Sequence, residues 1–207
     1  NKEIIGFNNK KYYNSKLKIQ SKSKEPEPLV YMDVKSDNTQ IKNTSPAEVE
    51  EVVEYALLNK DKSIAVITPF VNQKQLIENA IKQNKLSNLV CGTVHAFQGD
   101  EKDVVLFSTA ISERTSSGTY NWLKNNKELI NVATSRAKEK LVLLTNGKEL
   151  ERLHAGQADN DLYALAQYIK TNGHSKITEK HISSRALGIQ PFSTATENAF
   201  LENLTHA

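Results

Sequence analysis

The feature that most constrains this chain is a set of short segments that are apolar on consecutive residues, alternating with segments that are apolar at helical spacing. AVIT at 65–68, DVVLF at 103–107 and LVLL at 141–144 have no polar residue on every second position. A strand with one wet face alternates, so runs of this kind require strands covered on both faces. Between them, VNQKQLIENAIKQN at 71–84 and KELINVATSRA at 127–137 carry the period of amphipathic helices. Strands are predicted at 29–34, 63–68, 89–95, 103–112 and 140–146, the last stopped by Gly147. The pattern predicts an α/β fold: a three-layer sandwich around a mainly parallel sheet, with no internal repeat.

The flanks are read in the same way. Ile4, Ile5, Phe7, Tyr12, Tyr13 and Leu17 fit a short helix running into a turn, and SKSKEPEP at 21–28 reads as a solvated connection. Ser45 and Pro46 form an N-cap followed by proline at the first helical position. Val49, Val52, Val53, Ala56 and Leu57 continue a helix of about four turns. DLYALAQYIKTNG at 161–173 is predicted as a closing helix with Gly173 just past its end. We therefore expect one domain over 1–173, with 174–207 a linker or the start of a further domain. The start, NKEIIGFNN, has no initiator Met, and the expectation is a segment of a longer protein.

Bulk properties exclude several classes. A net charge of +3 leaves no polybasic arm of the kind that binds nucleic acid by charge alone. Cys91 is the only cysteine and no Cys/His cluster has zinc-ligand spacing, so no disulfide framework and no metal site is expected. No apolar run approaches the ~18 residues of a membrane span and no signal-peptide pattern opens the chain. The expected compartment is the cytoplasm.

Three clusters sit where an open α/β sheet places ligands. In ITPFVNQ at 67–73, Thr68 ends a strand, Pro69 fits a first helical position, and the new helix offers free amides to a phosphate. Read alone, the same residues are better explained as an ordinary capped strand-to-helix turn. In GTVHAFQGDEKDVV at 92–105, a strand carrying Thr93 and His95 runs into a polar loop with Gln98, Gly99, Asp100, Glu101, Lys102 and Asp103. Gly99 permits close backbone approach to a ligand; the plain alternative is a solvated connection. In NVATSRAKEKLVLL at 131–144, a helix would put Asn131, Ser135 and Lys138 near one face and turn Arg136 elsewhere, free to reach a phosphoryl group through its planar fork. An arginine stabilising a helix C-terminus is the plain alternative.

Taken together and in this order, ITPFVNQ, TVHAFQGDEKDVVLFS and NVATSRAKEKLVLL resemble motifs IV, V and VI of superfamily 1 helicases, in the branch of the nonsense-mediated-decay RNA helicases and related DNA helicases. IIGFNNKKYYNSKL and NTSPAEVEEVV are similar to further segments of that branch, and the resemblance covers roughly 1–173. It implies a RecA-like fold. It also implies ATP and Mg held between two such domains, the phosphate-loop lysine and magnesium carboxylates coming from an N-terminal RecA-like domain of the same chain. Arg136 matches the motif VI arginine finger, which neutralises charge on the transferring phosphoryl group. Gln98, Gly99 and Glu101 match the loop beside the nucleotide. Thr68, Pro69, Thr93 and His95 match positions that grip the backbone of single-stranded DNA or RNA, and the branch suggests 5′ to 3′ translocation.

The chain departs from the family in carrying His95 where relatives often have Asp, and it contains no G-x-x-x-x-G-K-[ST]. Two other classes compete. A nucleic-acid-binding or scaffold module with a RecA-like fold would have no use for an arginine aimed across a cleft. TATENAFLENL at 194–204 is similar to the opening helix of nuclease domains appended to some bacterial helicases, but the chain supplies no acidic metal-binding strand.

Overall fold

The computed structural model describes residues 1–16, 23–35, 39–97 and 100–179. The elements run α1 (Lys2–Tyr12), β1 (Leu29–Lys35), α2 (Pro46–Leu58), β2 (Ile64–Ile67), α3 (Val71–Asn84), β3 (Leu89–Gly92), a 3-10 helix (Val94–Phe97), β4 (Lys102–Ser108), α4 (Ser117–Lys124), α5 (Lys127–Ser135), β5 (Ala137–Thr145), α6 (Gly147–His154), α7 (Asp161–Asn172) and β6 (His174–Glu179). The six described strands form one sheet in the order β3-β2-β4-β5-β1-β6, with every pairing parallel. This is the α/β sandwich of the RecA-like class.

The consecutive apolar runs divide residue by residue between two cores. Leu29 and Tyr31, Ala65 and Ile67, Val105 and Phe107, Leu141 and Leu143 enter a core closed by α1, α4, α5, α6 and α7. Their neighbours Val30 and Met32, Ile64 and Val66, Val104 and Leu106, Val142 and Leu144 enter a second core under α2 and α3. A two-residue period with both faces covered accounts for the lack of polar alternation.

Helix starts follow local chemistry. Ser45 Oγ accepts from the Glu48 amide and Pro46 occupies the first turn of α2, while Asn126 caps α5 and Asn160 caps α7. The predicted helix at 71–84 matches α3 residue for residue.

Several elements differ from the sequence reading. The strand expected over 89–95 stops at Gly92, because the chain doubles back there: a Cβ on Gly92 would lie 2.5 Å from Ala96 Cβ and 2.8 Å from Phe97 Cε2. His95 therefore belongs to the 3-10 helix rather than to a strand. The strand expected over 103–112 ends at Ser108; Ala110 takes a left-handed φ of 52° and its amide donates to Glu48 Oε1 (3.2 Å) instead of to a ladder. The helix expected to 137 ends at Ser135, so Lys138 lies on β5 and shares no helix face with Asn131. Gly147 opens α6 rather than only closing a strand, and α4 was not anticipated. Residues 174–179, read as tail, extend the sheet beside β1. The nuclease-like segment at 194–204 lies outside the described residues. Among the described residues no helix is long and apolar enough to cross a membrane.

Candidate nucleotide and nucleic-acid site

The candidate residues gather at two ends of the sheet. At the strand starts, Lys102 opens β4 opposite Ala137, the first residue of β5. The Lys102 amide donates to the Arg136 carbonyl at 3.0 Å, which ties the loop before β4 to the junction between α5 and β5. Arg136 ends α5 with its own amide on the Val132 carbonyl (3.1 Å). Its side chain is half-buried, and Nε is enclosed without a hydrogen-bond partner among the described residues. A buried guanidinium nitrogen without an acceptor is costly. A phosphate oxygen is a fitting partner for it.

The surroundings of Arg136 are braced. Asn8 Nδ2 donates to Asn131 Oδ1 (2.9 Å), pinning α1 across α5, and Thr134 Oγ1 donates to the Ile130 carbonyl (2.7 Å). Asp103 accepts from the Ser63 amide (2.9 Å) and hydroxyl (2.8 Å), and the amide bond above all holds its carboxyl below the usual range. Glu101 is exposed, and Asp100 pairs with Lys102 at 3.0 Å. Gln98 and Gly99, the other residues of this loop named from the sequence, lie outside the described residues.

At the opposite end, where β2, β3 and β4 finish, the Thr68 amide donates to the Gly92 carbonyl (3.3 Å). Thr68 is 0% exposed and its hydroxyl has no partner among the described residues, so it presents no surface to a nucleic-acid backbone. Pro69 is half-buried, and Phe70 caps α3 without a side-chain acceptor, leaving the first-turn amides without a side-chain cap. Thr93 is half-buried at the end of β3. From Lys102 to Phe107 the sheet is about 17 Å long at ~3.3 Å per residue, so the segment from Thr93 to Lys102 spans from one end to the other.

Between α2, α3 and the end of β4 lies a buried polar cluster that the sequence reading missed. Gln73 accepts from the Ser45 amide (2.8 Å) and donates to the Ser45 carbonyl (3.2 Å) and Ser108 Oγ (2.9 Å). Ser108 Oγ in turn donates to Glu48 Oε1 (3.1 Å). Glu48 is 0% exposed, and burial pushes its carboxyl up to about 8 against the opposing pull of the Ala110 amide and Ser108 hydroxyl. The Ser-x-x-Glu spacing at 45–48 was the available signal, but it marks a helix start and not the burial of the acid. Among the described residues no group of three His, Cys, Asp or Glu side chains could hold a metal ion.

Comparison with known proteins now decides the family. A family model described as "AAA domain" matches residues 1–148, well over half of the chain. The chain belongs to this family, as a RecA-like domain of a superfamily 1 helicase. It is 31% identical over 162 residues to the RNA helicase Mov10l1 of Mus musculus, covering 70% of this chain and 13% of that protein. It is 33% identical over 105 residues to the DNA replication ATP-dependent helicase/nuclease JHS1 of Arabidopsis thaliana, covering 51% of this chain and 8% of that protein. The chain thus spans about an eighth or less of the length of these two relatives. Among solved structures, the C-terminal domain of a possible DNA helicase from Lactobacillus plantarum WCFS1 is similar at 18% identity and a TM-score of 0.45, covering 86% of this chain and 96% of that one.

Proposed function

We propose that this helicase motor domain is the second half of an ATP-driven motor, completing an ATP site with Arg136 and lining part of the groove for single-stranded DNA or RNA. The observation that carries the reading is the Arg136 side chain: half-buried, with Nε unpartnered among the described residues, and tied through its backbone to the loop before β4. Family membership supports ATP and Mg as the nucleotide and cation, with an N-terminal RecA-like domain as the partner. ATP supplies the γ-phosphoryl group when bound.

Arg136 would meet the charge that develops on that group, while Gln98, Gly99 and Glu101 would lie on the ribose and phosphate side. Pro69, Thr93 and His95 would face the nucleic acid, with the uncapped start of α3 beside them. This chain holds no phosphate-loop lysine motif, so by itself it should hydrolyse no ATP, with or without single-stranded nucleic acid.

The test is kinetic, in the helicase where this domain is joined to its phosphate-loop partner. Arg136→Ala should lower kcat by on the order of 10³-fold and leave single-strand affinity nearly unchanged, because a finger acts on the transition state. Arg136→Lys should recover little, since a point charge lacks the bidentate fork. Parental turnover in both variants would remove Arg136 from the reaction and return the chain to a scaffold reading.

A further inference from the structure

An exposed aromatic ring on α4 has no part in the proposed ATP site. The inner face of α4 gives Tyr120 and Leu123 to the core, at 1% and 0% exposure. Trp122, between them in sequence, points the other way and remains 55% exposed. It leans on Phe70, the residue that caps α3, with ring centroids 6.1 Å apart and planes tilted by 41°. Val71, next to Phe70, is 72% exposed. An indole braced by a buried phenyl group and left open on its other side is an apolar platform at the turn that ends β2.

The surroundings select an occupant. Asn72 Nδ2 donates to the Lys42 carbonyl (3.2 Å), bringing that loop against the first turn of α3. Arg114, just ahead of the α4 cap Ser116, donates to the Gln40 carbonyl (2.8 Å) in the same loop. Lys42 and Arg114 are both exposed. The nearby acid, Glu113, is also exposed, with its carboxylate held by the Thr39 amide (2.6 Å), so the two basic side chains outnumber it. Basic side chains and a helix start without a side-chain cap, next to a flat open ring, complement a polyanion that carries aromatic faces.

We propose that Trp122, braced by Phe70, is a stacking platform for one base of a single strand whose phosphates run past the start of α3, Lys42 and Arg114. The inference rests on the nucleic-acid half of the proposed function and adds a specific residue to it. It also separates two contributions: the ring holds a base whatever its identity, and the basic residues hold the backbone.

Trp122 is the only tryptophan in the chain, so its emission reports on this one position. Purified chain should be titrated with oligothymidylate at low salt, following tryptophan emission and, in parallel, the anisotropy of end-labelled oligonucleotide. Stacking predicts saturable quenching with the same midpoint as the anisotropy change. Trp122→Ala should weaken binding by about 5- to 150-fold, the range for loss of one stacked base, and Trp122→Phe should recover most of it. Far-ultraviolet circular dichroism and thermal melting check that each variant remains folded. Anisotropy that saturates while emission stays constant, or parental affinity in Trp122→Ala, would overturn the platform and leave the nucleic-acid reading standing. Absence of any anisotropy change would overturn both. An emission change on dilution of the protein, with none on adding oligonucleotide, would assign the ring to self-association and overturn the platform.

Discussion

The Lys102 amide and the Arg136 carbonyl, 34 residues apart in sequence, share a 3.0 Å hydrogen bond that joins the loop before β4 to the end of α5. The two segments predicted from sequence to flank the nucleotide are therefore coupled through backbone, independently of either side chain. Lys102→Pro removes that donor, whereas Lys102→Ala keeps it and loses only an ion pair with an exposed acid. In the complete helicase, Lys102→Pro should lower ATP turnover by about tenfold or more, since small displacements of a catalytic group can cost ~10²-fold. Lys102→Ala should stay near the parental rate. Equal rates in the two variants would show that the backbone tether does not position Arg136.

Thr68 offers a separate check. Its hydroxyl is buried without a partner among the described residues, so Thr68→Val exchanges an unsatisfied polar group for a methyl of the same shape. Urea unfolding should find the variant as stable as the parent or more stable by about 1 kcal/mol. Single-strand affinity should not change. A tenfold loss of affinity would return Thr68 to the nucleic-acid surface.

What could be read from the sequence was whatever depended on neighbours along the chain. The runs at 65–68, 103–107 and 141–144 announce doubly covered strands, and Ser45-Pro46 announces a helix start, because burial on both faces and capping are local patterns. The order of the three motifs announced the family. Strand ends were less legible: Gly92 stops β3 because Ala96 and Phe97 fold back over it, and Ala110 leaves β4 for a bond to Glu48, 62 residues away. These are tertiary contacts with no local signature. β6 was missed because a strand at the sheet edge, with His174, Ser175, Lys176 and Ile177 exposed, carries no apolar run. Trp122 was overlooked because only the packing of α4 reveals that the ring faces outward.

Gly173 shows how tightly α7 is joined to β6. Its backbone is extended, so a side chain is excluded by space and not by conformation. A Cβ there would collide with the Leu29 carbonyl, and would lie 2.7 Å from Leu29 Cβ and 2.9 Å from the Ile169 carbonyl. Because backbone atoms of β1 and α7 block it, Gly173→Ala should destabilise the domain by about 1–3 kcal/mol or more. The corresponding fall in Tm is roughly 2–12 °C for a domain of this size. An unchanged melting temperature would mean that β6 separates from β1 at little cost.

The buried acid Glu48 makes the last prediction one about pH. Its carboxyl is raised from 4.5 to about 8, mainly by burial. Below about 4.5 the group is protonated in both folded and unfolded chains and takes nothing from stability. Between about 4.5 and about 8 the unfolded chain releases the proton and the folded one retains it, so the folded state loses ground as pH rises. Above about 8 both are ionised and the loss levels off, at a total on the order of a few kcal/mol. Glu48→Gln keeps one oxygen to accept from Ser108 and the Ala110 amide but cannot ionise. Urea unfolding across pH 5 to 9 should therefore find the variant's stability flatter than the parent's, with the gain from substitution growing toward alkaline pH. If both proteins lost stability in parallel across that window, Glu48 would have to ionise as readily in the folded chain as in the unfolded one, and the cluster with Gln73 and Ser108 would hold a carboxylate.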